Sequence, residues 1–130
     1  MKSLILILGI LLSLTCCSDD DNKTQETNIK GSWKLIETYG SDGGSNPQWT
    51  SVDNGYTYTF NNDGTIISDR FTCNGSYTLL SSNQVTITFD CTDSQFNLMY
   101  NYSSENQNLI LTPDLSNCDE GCGEKYEKIE

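Results

Sequence analysis

Six cysteines and no histidine set the limits of the chemistry this chain can do. Without an imidazole there is no Ser-His or Cys-His dyad, no general base poised near neutrality and no His-ligated zinc. Cys16 and Cys17 stand side by side, whereas Cys73, Cys91, Cys118 and Cys122 are spread as C-x17-C and C-x3-C. Paired C-x2-C spacing, the usual frame for a thiolate-bound metal, is missing, so these four read as two disulfides and no metal is expected. The carboxylates form no acid–base pair: Asp42, Asp53, Asp63 and Asp69 fall in turn-forming stretches, where such groups cap backbone amides. Asn61-Asn-Asp-Gly-Thr65 lacks the acidic ladder and terminal Glu of a calcium loop. The expectation is a protein that is not an enzyme and uses no cofactor.

The paired cysteines end a segment of another kind. Residues 1–17 (MKSLILILGILLSLTCC) place Lys2 before an apolar run from Leu4 to Leu14. That run is too short for a hydrocarbon core that needs roughly 20 helical residues, so it reads as a signal peptide. The usual small-residue cleavage site is replaced by Leu14-Thr15-Cys16-Cys17, which resembles the lipobox of bacterial lipoproteins with Leu three before Cys17. The resemblance implies a diacylated Cys17 as mature N-terminus; Cys16, preceded by Ser13-Leu14-Thr15, fits less well. Ser18-Asp19-Asp20-Asp21 then resembles the tag that carries some Gram-negative lipoproteins to the outer face of the outer membrane. Residues 18–28 (SDDDNKTQETN) contain no aliphatic or aromatic side chain and cannot pack. The expected organisation is a signal peptide over 1–16, a lipidated acidic flexible tether over 17–28 and a folded domain over 29–130. The expected location is the outer membrane, facing the exterior, with the periplasmic face as the alternative. A net charge of −11 makes nucleic acid a poor partner.

Whatever the remaining cysteines do must be positioned by the chain from Ile29 on. It has no alanine, and Ser, Thr and Asn are abundant, which favours strands and turns over helices. Period-two alternation marks eight segments: Trp33–Tyr39, Tyr56–Phe60, Thr65–Phe71, Cys73–Leu80, Gln84–Cys91, Gln95–Tyr102, Asn108–Thr112 and Glu124–Ile129. Turn chemistry separates them at residues 61–64, 81–83 and 103–106, and one long glycine-rich connection runs from Gly40 to Gly55. Eight short antiparallel strands predict an all-β, up-and-down β-barrel, with a two-sheet sandwich as rival. Gly31-Ser-Trp33 resembles the Gly-x-Trp signature of lipocalins. With Tyr58–Thr65, Cys73-Asn-Gly-Ser-Tyr77 and Glu124–Ile129, residues 29–130 resemble the lipocalin-like domain of small bacterial surface lipoproteins. That resemblance implies a fold more than a function.

Four cysteines permit three pairings. In the hairpin around Ser82, cross-strand partners have numbers summing to 164, which sets Tyr77 opposite Ile87 and Leu79 opposite Val85 on one face. The same register sets Cys73 opposite Cys91, leaving Cys118 to close a small loop with Cys122. Because alternate connections of an up-and-down barrel share an end, loop 40–55, the turns near 72 and 92, and loop 113–123 should form one rim carrying both disulfides. A ligand entering there would meet Trp49, Tyr56, Tyr58 and Tyr100, while Trp33 is assigned to the core. Two functions are expected from these features. One is a non-catalytic, monomeric binding module, membrane-bound through its N-terminal lipid, for a small apolar or amphipathic ligand. The other is a surface inhibitor that uses its acidity against a basic protein.

Overall fold

Alternation in the sequence becomes two-sidedness in the structure, a computed structural model that describes residues 28–41, 46–81, 83–114, 118 and 121–130. The signal segment, Cys17 and the tether lie outside the described residues, except for Asn28. In Tyr58/Phe60, Val85/Ile87/Phe89 and Leu109/Leu111, alternate side chains point inward and are at most 2 % exposed. The intervening residues form the outer wall.

Nine strands result among the described residues: β1 (Gly31–Gly40), β2 (Gln48–Ser51), β3 (Thr57–Phe60), β4 (Thr65–Ser68), β5 (Gly75–Ser81), β6 (Gln84–Asp90), β7 (Gln95–Glu105), β8 (Asn108–Pro113) and β9 (Gly123–Lys128). Each of β3 to β9 pairs antiparallel with its neighbour in sequence, and β1 pairs with both β3 and β9. The β1–β9 seam closes eight strands into a barrel, so the sandwich alternative falls. Closure gives each of these strands a neighbour on both sides over at least part of its length.

The ninth strand, β2, corrects the expectation of one long loop from Gly40 to Gly55. Gln48–Ser51 pairs with Glu37–Gly40 of β1, on the same edge that pairs lower down with β3. Between them the chain makes a detour over Val52–Tyr56, tied to β1 by Val52 N–H donating to Ile36 O (2.8 Å) and Leu35 N–H donating to Tyr56 O (3.0 Å). Asn54 turns the detour with φ 54°. Gly55 presses on β1 so closely that a Cβ there would overlap the Leu35 carbonyl oxygen and lie 2.8 Å from its carbon. The β7–β8 hairpin also differs from expectation. Strand β7 continues to Glu105, and the turn is the pair Asn106-Gln107, with φ of 50° and 70°. Two successive left-handed residues make a tight turn whose twist matches the strands it joins.

Register in β5–β6 follows the sum of 164, with Tyr77 opposite Ile87 and Leu79 opposite Val85. Cys73 and Cys91 lie just beyond the ladder on that same register and are bonded, with Cα atoms 5.5 Å apart. Cys118 and Cys122 form the second disulfide, at a Cα separation of 5.8 Å. A shared face does not bury both partners equally. Val85 is fully buried, but its partner Leu79 is 45 % exposed. Strand β4 pairs with β5 only through Thr65 and Ile66, so β5 past Tyr77 loses its neighbour on that side.

One end of the barrel is sealed. Ile29 is 1 % exposed and accepts a 2.7 Å bond from the indole N–H of Trp33. Beside it, the hydroxyl of Tyr77 donates to Asn61 O in the β3–β4 turn (2.6 Å). The disulfides and the Val52–Tyr56 detour stand at the opposite rim.

Candidate functional site: a barrel mouth and an outer groove

Residues two apart on each of two chain segments give the mouth its polar lining. Tyr56 and Tyr58 share the inward face of the segment that leads into β3, Glu124 and Tyr126 that of β9. The Tyr56 hydroxyl donates to Glu124 Oε1 (2.9 Å), and the Tyr126 hydroxyl donates to Glu124 Oε2 (2.8 Å). The two hydroxyls also lie 2.9 Å from one another. Above this triad sits Arg70, from the β4–β5 turn, whose guanidinium donates a long 3.4 Å bond to the Tyr56 hydroxyl. Its central carbon lies 5.1 Å from the ring centre of Tyr56 and 5.5 Å from those of Phe71 and Phe96. Phe71 is held in place by stacking on Phe89, ring centres 4.0 Å apart. The Tyr58 hydroxyl is buried near the Tyr56 hydroxyl and the Arg70 guanidinium but makes no hydrogen bond of good geometry to either.

Burial makes these phenols hard to ionise. Burial first, and the Glu124 charge second, push Tyr58 up to about 12, with Arg70 pulling the other way. The same two causes, in the same order, raise Tyr56, Tyr100 and Tyr126 further. A phenol that stays protonated in the folded state but ionises near pH 10 when unfolded stabilises the fold fully below pH 10 and progressively less above it. The melting temperature should therefore be flat up to about pH 9.5 and fall steeply beyond about pH 10. Absorbance of tyrosinate should rise together with unfolding. Smooth ionisation of these four near pH 10 in a still-folded protein would contradict the burial.

The second concavity is outside the wall. A β-bulge between Leu35 and Glu37 adds one residue to β1 opposite β9, which reverses the inside–outside phase in the remainder of the strand. Tyr39 and its β2 partner Trp49 consequently face outward, ring centres 5.2 Å apart. Lys125, on the outer face of β9, sets its ammonium 4.3 Å from the Trp49 ring centre and pairs with Glu37 at 2.7 Å. Trp49 and Tyr39, with Thr112, Gly121, Cys122 and Gly123, line a groove of about 420 Å³. Glycine at 123 matters here, since a Cβ would lie 3.2 Å from the Trp49 ring. Cys122 brings the second disulfide to the groove's edge. A further hollow of about 300 Å³ lies across β6 and β7, among Thr88, Asp90, Gln95 and Asn97.

The four residues named from sequence are thus divided. Tyr56, Tyr58 and Tyr100 belong to the interior, with Tyr56 and Tyr58 rings 5.2 Å apart and Tyr100 2 % exposed. Trp49 stands apart from them on the outer wall. Rings meet across the lumen, Tyr58 to Tyr126 at 5.7 Å and Tyr58 to Phe89 at 6.3 Å, so aromatic bulk occupies the barrel's centre. Arg70, Glu124, Tyr126 and Tyr39 were missed as site residues. Only Glu124/Tyr126 carried a signal, their two-residue spacing in the last alternating segment. Cys17 lies outside the described residues. Comparison with protein-family models, curated proteins and solved structures finds no match.

Proposed function

We propose that this chain is a lipid-anchored, non-catalytic binding protein of lipocalin-like architecture, and that its ligand is a small apolar or amphipathic molecule held in the Trp49 groove rather than in the lumen. The observation that carries this reading is the groove itself. Its volume of about 420 Å³ falls in the range of small-ligand sites. Two aromatic rings supply the apolar surface, Thr112 adds a hydroxyl to the lining, and the Lys125 ammonium stands beside the Trp49 ring. The filled lumen argues against storage at the barrel centre. The lipobox-like Leu14–Cys17 and the acidic run after it support anchorage, with the exterior face of the outer membrane as the site of action.

The test is binding of the neutral fluorophore N-phenyl-1-naphthylamine. Trp49→Ala should weaken it at least tenfold, worth about 1.4 kcal/mol, with the melting temperature nearly unchanged. Equal affinity in wild type and variant would remove the groove from the proposal. Separately, Cys17→Ala should move the protein from the membrane to the soluble fraction, and intact mass of the native protein should show an acylated N-terminus. An unmodified N-terminus would remove the anchor.

A second reading is favoured by the ring-filled lumen together with the charge of −11: an inhibitor that presses its acidic surface on a basic protein. Its signature would be association that weakens steeply with salt.

A further inference from the structure

The mouth holds a cation already, and it is the protein's own. Arg70 sits among the rings of Tyr56, Phe71 and Phe96, all within 5.5 Å of its guanidinium carbon. Ring faces attract cations through their quadrupoles, and such enclosures are the familiar means of recognising alkylammonium groups. Below the rings lies the carboxylate of Glu124, fixed by two tyrosine hydroxyls. Beside it the Tyr58 hydroxyl, in a side chain 0 % exposed, makes no hydrogen bond of good geometry, and its polar neighbours are the Tyr56 hydroxyl and the Arg70 guanidinium that a ligand would replace. A buried polar group without a partner costs stability unless something completes it.

Arg70 itself is loosely held. It belongs to the exposed turn between β4 and β5, its bond to the Tyr56 hydroxyl is long at 3.4 Å, and among the described residues no carboxylate lies within 4.0 Å of it. Its hold on the enclosure is largely that of a tethered cation at high local concentration. The surrounding field favours free cations too, since the chain carries 18 acidic against 7 basic residues.

We propose that the barrel mouth is a binding site for a small alkylammonium, which displaces the Arg70 guanidinium from the Tyr56–Phe71–Phe96 enclosure, is balanced by Glu124 and donates an N–H to the Tyr58 oxygen. Arg70 then acts as a tethered competitor that sets the affinity. The site is separate from the Trp49 groove and stands or falls independently of it.

The experiment titrates the full acylated protein in detergent with dimethylammonium chloride, using sodium chloride at equal concentration as control. Tyrosine ring resonances and the Arg70 side-chain Nε–H report occupancy. Wild type should show a saturable shift of both, absent with sodium. Arg70→Ala should bind at least tenfold more tightly, and Arg70→Gln, which keeps the stem and loses the charge, should do likewise if the alanine variant folds poorly. Adding Glu124→Gln to either should cost at least tenfold, and adding Tyr58→Phe several-fold. Equal affinity in wild type and both Arg70 variants, or no saturable shift in any of them, would overturn the proposal. Binding indifferent to Glu124→Gln would place the cation elsewhere and overturn it as well.

Discussion

Trp33→Ala should lower stability by about 3–5 kcal/mol, the usual loss for truncating a buried aromatic. Trp33 is 4 % exposed, near the sealed end of the barrel, and its indole N–H satisfies the buried carbonyl of Ile29 at 2.7 Å. Removing it leaves both a cavity and an orphaned acceptor. Lys128, whose ammonium lies 5.4 Å from the ring centre, loses its platform as well. At about 4–8 °C per kcal/mol for a domain of this size, the melting temperature should fall by at least 12 °C. Trp33→Phe, which keeps most of the volume and loses the hydrogen bond, should lie between this variant and wild type. The informative comparison is Trp49→Ala, whose side chain lies in a groove on the outer wall and should change stability by less than about 1 kcal/mol. A small loss for Trp33 beside a large one for Trp49 would invert the placement of the two indoles.

Gly55→Ala should be the second most damaging change. The new methyl would overlap the Leu35 carbonyl oxygen and crowd its carbon at 2.8 Å and its Cβ at 2.9 Å. Two of those three atoms are backbone of β1, so no rotamer change relieves the overlap. Overpacking of this kind costs about 1–3 kcal/mol and more where the backbone cannot shift. Here a shift would pull apart the Leu35–Tyr56 and Ile36–Val52 bonds that hold the detour. Because the detour sets Tyr56 in the mouth, the tyrosine–Glu124 triad should be disturbed as well. Gly40→Ala is the control: its nearest neighbour would be Gly121 O at 3.9 Å, and it should melt close to wild type. Similar melting of the two variants would mean that the detour meets β1 with more room than the structure gives it.

The pairing of Cys73 with Cys91 was legible because two signals agreed. Alternation in Tyr77–Leu79 and Val85–Phe89 fixed the faces, and a hairpin has one register that satisfies them. Strand β2 was not legible. Gln48-Trp-Thr-Ser51 carries one large apolar residue, shows no alternation and sits between Pro47 and the Asn54-Gly55 pair. Its strand character comes from β1's free edge, a tertiary cause. The side of the wall on which Trp49 falls was hidden for a related reason. Alternation from Trp33 and Leu35 puts Tyr39 inside, but one extra residue between Leu35 and Glu37 turns Tyr39 and Trp49 outward together. The mouth depends on still longer range. Arg70 comes from a turn and Glu124 from the last strand, and local patterning does not relate them.

The seam between β1 and β9 also has a kinetic consequence. Lys34 pairs with Glu127 and Leu35 with Tyr126, contacts that span most of the folded chain. The loop they close must be ordered before the seam rewards it, so folding should be slow for a protein of this size. A chain that emerges from its N-terminus carries β1 with one edge bare until the final strand arrives. During that interval the edge is a template for any other strand, its own copies included. The barrel is therefore most exposed to misassembly when it is nearly complete, and an agent that shields β1 until Gly123–Lys128 is available would raise the yield of the closed form.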